Sequence, residues 1–224
     1  MHCSSLSCVE GLKTIIPVAG ISSWYDYYRT NGLCVSPFGW QGDDIDILSK
    51  YCFSRQLEED FNESILEDYL KDVDTLLKDA DRDSGNYNKF WDDRNYKDHL
   101  ENMKASAFIV HGLNDLNVKT THFYNLFEAM KLKGLNVKGF LHQGDHIYTY
   151  NFSSGNFTEI IHKWLDYHLY GIENDALNIP NLTVQSSINQ LEWFEEDAWY
   201  VNTEKLNLSI NNTSFVDNPI LDNT

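Results

Sequence analysis

From Ala105 to Gly171 the chain alternates strand, loop, helix, strand, loop and helix, and this rhythm restricts the fold more than any other feature. Ala105 to His111 (ASAFIVH) is a brief apolar run of strand length, and Gly112 to Lys119 is a loop. Thr121 to Lys133 sets Phe123, Leu126, Phe127 and Met130 on one helical face, with Gly134 as its stop. Val137 to His142 is a second strand. After another loop, Glu159 to Tyr170 carries an apolar stripe of Ile160, Ile161, Trp164, Leu165 and Leu169, closed by Gly171. Two apolar strands joined through an amphipathic helix predict a parallel sheet with helices on its faces.

The flanks are less regular. Gly11 to Ile21 reads as a short buried strand running into a loop. Residues 22–54 are aromatic and turn-rich, without a clean period. Residues 55–80 predict a helix, because Leu57, Phe61, Ile65, Leu66, Tyr69, Leu70, Val73, Leu76 and Leu77 recur at steps of three and four. Asp79 to Asn95 is polar and reads as a loop or as the rim of an inserted helical unit, which is placed over about 41–100. After Pro180 the pattern changes. Leu182 to Gln185 and Trp193 to Val201 look like strands, so a boundary is expected near 178. Residues 1–178 then form one unit and residues 179–224 the beginning of a β module.

Length and charge narrow the function. At 224 residues the chain holds one domain, or one and the start of another. Seventeen basic against 34 acidic residues give a net charge of −17, which disfavours nucleic acid and anionic membrane as partners. No run reaches the roughly 18–20 apolar residues of a membrane span. Residues 1–10 show neither a basic head nor an apolar run, so a cytoplasmic location is expected. Cys3, Cys8, Cys34 and Cys52 have no C-x-x-C spacing, and no disulfide framework, metal or organic cofactor is expected.

The chemistry is expected in two loops at the ends of the two strands, where open α/β sheets collect their ligands. One is His111-Gly112-Leu113-Asn114-Asp115-Leu116-Asn117, the other His142-Gln143-Gly144-Asp145-His146. An acid after one strand and a histidine 31 residues later is the back half of a Ser…Asp…His order. A serine hydroxyl attacks only once an imidazole takes its proton, and the imidazole needs a fixed carboxylate behind it. Asp145 is too close to His146 in sequence to face its ring easily, so Asp115 is favoured; His142 sits on the strand end. The ordinary alternatives are a turn or capping aspartate and a packing histidine. The nucleophile is missing: no two glycines stand four apart, so no G-x-S-x-G elbow occurs. Ser22 and Ser23 follow Gly20 without an elbow pattern, which favours loop capping.

The segment GLKTIIPVAGISSWYDYYRTNG (11–32) resembles the Xaa-Pro dipeptidyl-peptidases of lactic acid bacteria and streptococci, serine peptidases of the α/β-hydrolase fold. The resemblance continues through QGDDIDILSKYCFSR (41–55), FWDDRNY (90–96), HGLNDLNVK (111–119) and LHQGDH (141–146), and covers about residues 9–200. It implies Asp115 as triad acid and His146 as base. It implies Trp24 and Tyr27 as the wall of a proline pocket, and Asp43 and Asn117 as holders of the substrate's free amino terminus. Asp43 stands where the family is expected to carry the longer Glu. The implied architecture is the C-terminal half of an α/β-hydrolase fold with a helical insertion, then the start of a β-sandwich. The implied substrate is a peptide with proline in the second position, and the implied full-length assembly is a homodimer. The family's elbow is expected upstream of KTIIPVAG, so the chain should correspond to an internal third of a larger enzyme, inactive alone. The alternatives are another acyl or ester hydrolase of the same superfamily and a non-catalytic truncated remnant.

Overall fold

A computed structural model describes residues 9–30, 32–34, 44–53, 59, 61–147 and 156–199. Its strands are β1 (Thr14–Ile15), β2 (Arg29–Thr30), β3 (Leu33–Cys34), β4 (Ser106–Gly112), β5 (Val137–His142), β6 (Leu182–Gln185) and β7 (Trp193–Glu196). Its α-helices are α1 (Trp24–Tyr28), α2 (Ile45–Phe53), α3 (Glu63–Asp79), α4 (Lys89–Asp92), α5 (Thr121–Leu132) and α6 (Phe157–Tyr170), with a 3₁₀ turn at Asp175–Asn178.

The main sheet runs β1-β4-β5-β6-β7. Its first four strands are parallel and β7 returns antiparallel on β6. The central strands are apolar on both faces because each face is covered by helix. Ala107, Ile109 and Leu141 pack with Phe123, Leu126, Phe127 and Met130 of α5. Phe108, Val110 and Phe140 pack with Phe157 and Trp164 of α6 on the other face. Trp164 is fully buried, and its indole N–H donates to Thr14 Oγ1 at 2.8 Å, so the ring's one polar atom is satisfied. Gly171 ends α6 with φ 67°, a left-handed turn that a side chain would resist.

A third cluster lies beyond the strand ends. Tyr27 and Tyr28 of α1, Ile45 of α2, Ala80 and Trp91 bury together with Val118, which belongs to the loop after β4. The helical insertion is thereby fastened to the end of the sheet where the chemistry was expected. Beside it, Arg29 meets Asp44 through two hydrogen bonds of 2.6 and 2.7 Å, both side chains being fully buried.

One expectation needs correction. The boundary near 178 does not separate two sheets. Leu182–Gln185 and Trp193–Glu196, read as the beginning of a β module over 179–224, complete the sheet that β4 and β5 begin. Behind Pro180 the chain returns to pair with β5. Residues 200–224, the rest of that expected module, lie outside the described residues. The short strand expected over 11–21 is β1, two residues long, with one isolated bridge at Val18 beyond it. Pro17 supplies no N–H, although its carbonyl accepts from Val110.

Candidate active site

The parallel register of β4 on β5 sets Gly112 beside His142, so both strands release their loops at the same place. The loops are then stitched together. Leu113 N–H donates to His142 O at 2.7 Å, Asn114 N–H to Gly144 O at 3.2 Å, and Asn114 Nδ2 to Gln143 O at 2.6 Å. The approach is close enough to require glycine at 112. A Cβ there would lie 2.3 Å from Asp145 O and 2.5 Å from Gly144 O.

Asp115 sits in the first loop with its side chain fully buried. Its Oδ1 accepts the backbone N–H groups of Asn117 at 2.9 Å and Val118 at 2.8 Å. Its Oδ2 accepts from His146 Nδ1 at 2.9 Å. A carboxylate facing Nδ1 fixes that nitrogen as the protonated one and leaves Nε2 as an acceptor. The His146 side chain is 45% exposed while the Asp115 side chain is at 0%, so one edge of the ring meets a buried anion and the rest opens outward. Orienting carboxylate, fixed tautomer and open Nε2 are the parts of a general base.

The second loop is held from β6. Gln143 N–H donates to Gln185 Oε1 at 2.7 Å, and Gln143 Nε2 to Gln185 O at 2.9 Å. Gln185 Nε2 donates in turn to Gln190 O at 2.7 Å. His142 packs inward, as its strand-end position suggested, with Nδ1 accepting Gly144 N–H at 3.1 Å. Burial lowers its pKa, and the neutral ring keeps that acceptor.

The aromatic residues join the same place through Asn117. Ser23 caps α1 by accepting Asp26 N–H at 3.2 Å, the capping role its sequence position favoured. Tyr27 then reaches Asn117 Oδ1 with its hydroxyl, 2.5 Å away. Burial, helped by the Asp115 charge, pushes the Tyr27 pKa up to about 12, so the hydroxyl remains a donor. Trp24 meets Tyr27 edge to face at 5.8 Å, and its indole N–H donates to Tyr96 Oη at 3.1 Å. Trp24, Tyr27, Asn117, Asp115 and His146 therefore form one connected set. Asp43 lies outside the described residues.

A second serine–histidine contact lies deeper. Ser22 Oγ is 3.2 Å from His122 Nδ1, which Ser22 N–H also approaches at 3.3 Å. Ser22 is 0% and His122 1% exposed, so no substrate reaches the hydroxyl. Burial, with smaller effects from His111 and Lys119, lowers the His122 pKa to about 4. Among the described residues no serine hydroxyl bonds His146, and no group of three His, Cys, Asp or Glu is placed to hold a metal. Sequence reasoning missed Gly112, Gln143 and Gln185. The Gly directly after an apolar strand was a readable signal for the first; the glutamines gave none, because their pairing joins residues 42 apart.

The same architecture occurs in solved hydrolases. A CocE/NonD family hydrolase from Staphylococcus aureus superposes with a TM-score of 0.62 at 15% identity, covering 94% of this chain and 34% of that one. An aminopeptidase from the marine sediment archaeon Thaumarchaeota archaeon gives 0.54 at 15%, covering 88% and 37%. The fold is thus that of the α/β hydrolases. The family model for X-Pro dipeptidyl-peptidase (S15 family) matches residues 5–148, and the chain belongs to that family. The Xaa-Pro dipeptidyl-peptidase of Ligilactobacillus salivarius (strain UCC118) is 44% identical over 208 residues, covering 88% of this chain and 26% of that protein. A putative Xaa-Pro dipeptidyl-peptidase of Bacillus cereus is 49% identical over 177 residues, covering 79% and 29%. The chain spans about a quarter of the length of these curated relatives, less than the third expected.

Proposed function

We propose that Asp115 and His146 are the acid and base of a serine acyl-transfer site, and that the complete enzyme releases N-terminal Xaa-Pro dipeptides. The observation that carries the reading is the 2.9 Å contact of His146 Nδ1 with an Asp115 carboxylate already pinned by two backbone N–H groups. In this reading His146 Nε2 takes the proton of a serine hydroxyl as it attacks the prolyl carbonyl. The proton passes to the leaving amine, and water then releases the dipeptide from the acyl-enzyme by the same route. Backbone N–H groups stabilise the tetrahedral oxyanion. Trp24 and Tyr27 offer flat walls to the proline ring, and Asn117, tied to Tyr27, stands with Asp43 as the partner of the substrate's ammonium group. A cytoplasmic setting is part of this proposal, and so is a homodimeric assembly, which rests on the family resemblance alone. The serine is supplied by sequence other than these residues, since no elbow motif occurs among them, and the chain alone is expected to leave an Xaa-Pro anilide intact.

The test is a chimera in which this chain replaces the matching stretch of the L. salivarius relative, assayed on an Xaa-Pro p-nitroanilide and on a simple p-nitrophenyl ester. The expected result is anilide hydrolysis that falls by roughly three to six orders of magnitude on His146→Ala. Cleavage of the ester alone would move the assignment to another acyl hydrolase. A folded chimera inert toward both would refute the proposal.

A further inference from the structure

We infer that His111 is a positioning residue for Asp115, acting through the backbone of Val118. The inference rests on the acid–base reading of Asp115 and His146, but its test reads their hydrogen bond and not the reaction.

His111 is the penultimate residue of β4 and lies on the face toward α5, its ring 6.3 Å from that of Phe123. It is 1% exposed. Its Nε2 lies 2.7 Å from Val118 O, a carbonyl that can only accept, so Nε2 carries the proton. Burial lowers the pKa of the ring, which stays neutral with this one N–H. Val118 therefore takes a hydrogen bond from His111 at its carbonyl and gives one to Asp115 Oδ1 at its N–H. Asp115 N–H donates to Gly112 O at 3.2 Å on the other side of the loop. His111 thus closes the loop that aims two N–H groups at Oδ1, and with Oδ1 held, Oδ2 is left to His146.

Two further observations distinguish this role from packing. His111 Nδ1 is buried and finds no hydrogen-bond partner among the described residues. An orphaned buried acceptor costs stability, and an apolar side chain of similar size would avoid that cost. What such a side chain could not supply is the Nε2–H. That nitrogen also lies 3.9 Å from Asp115 Oδ2, the oxygen that His146 uses. Without the Nε2–H, the loop is free to open at Val118, Oδ1 loses its paired donors, and the carboxylate turns from His146.

The experiment uses the full chain labelled uniformly with 15N. The proton between Asp115 and His146 is read as a low-field NMR signal, assigned by its loss in His146→Gln. Gln at 111 places its amide nitrogen near the position of Nε2, whereas Asn ends one bond short. His111→Gln is expected to keep the signal. His111→Asn is expected to lose it, or to exchange it with water at least about tenfold faster, with the β4 and β5 amide signals unchanged. Retention in His111→Asn would overturn the inference, as would loss in His111→Gln with the sheet intact. Should His111→Asn unfold the sheet, His111→Gln decides alone: a retained signal supports the role and a lost one overturns it. A wild-type chain without the signal would overturn the acid–base pair itself and this inference with it, whereas an inert chimera leaves the signal in place.

Discussion

Gly112→Ala is the most economical perturbation of the candidate site, because it adds one carbon where the two loops meet. The added Cβ would fall 2.3 Å from Asp145 O and 2.5 Å from Gly144 O, both of them backbone atoms that no rotamer change can move away. Restoring even a tight 3.0 Å separation needs a displacement of about 0.7 Å, and an ordinary contact more than 1 Å. The segment that must yield is the one carrying His146. A shift of that size stretches the 2.9 Å bond to Asp115 past the range in which a hydrogen bond retains its strength. Overpacking of this kind costs about 1–3 kcal/mol, and for a chain of this length it should lower Tm by roughly 2–12 °C. In the chimera, a catalytic group misplaced by about 1 Å should cost on the order of a hundredfold in kcat/KM. Thermal unfolding, the low-field proton and anilide kinetics measure the three effects. A Gly112→Ala chain with unchanged Tm and an intact His146 signal would refute the argument that these loops lock together through their close approach.

Other perturbations test the frame around the site. His122 is held neutral, so the unfolded chain binds more protons than the folded one between pH 6.5 and about 4. Stability should therefore decline as pH falls through that window, by up to about 3 kcal/mol from His122. Buried His111 and His142 shift in the same direction, and His122→Gln should flatten part of the slope in Tm measured from pH 7 to pH 4.5. Asp44→Ala strands the buried Arg29 guanidinium and should destabilise the chain by about 3–5 kcal/mol in urea unfolding, whereas an apolar replacement of both partners should cost much less. Tyr27→Phe keeps the ring and loses the hydrogen bond to Asn117, a cost of about 1 kcal/mol with a displaced Asn117 amide signal; an unmoved signal would show that Asn117 is positioned without it.

The parts of the fold that were legible are those whose burial is written locally. β4, α5, β5 and α6 carry continuous apolar runs or one-sided stripes, and their ends fall within a few residues of the expected places. α1 was not legible, because Trp24, Tyr25, Tyr27 and Tyr28 are aromatic on every side and a helix of five residues is too short to show a period. β6 and β7 were readable as strands but not as members of this sheet, since strand pairing is a contact between distant residues. The site divides in the same way. Asp115 and His146 could be placed at strand ends by their spacing. The Tyr27–Asn117 bond spans 90 residues, and the Gln143–Gln185 pair joins the loop after β5 to a strand assigned from sequence to a different module.

That last pair redraws what counts as the smallest working piece. Every residue proposed for catalysis or substrate contact precedes position 147, and the matched family region ends at 148. Yet the loop bearing His146 hangs from a carboxamide near residue 185, itself tied back to Gln190. A chain stopped at 178 would retain every residue of this chain proposed for the site and lose the peg on which its base is hung. Such a shortened chain should fold its central strands and give no sharp His146 signal, while one ended after Trp199 should give both.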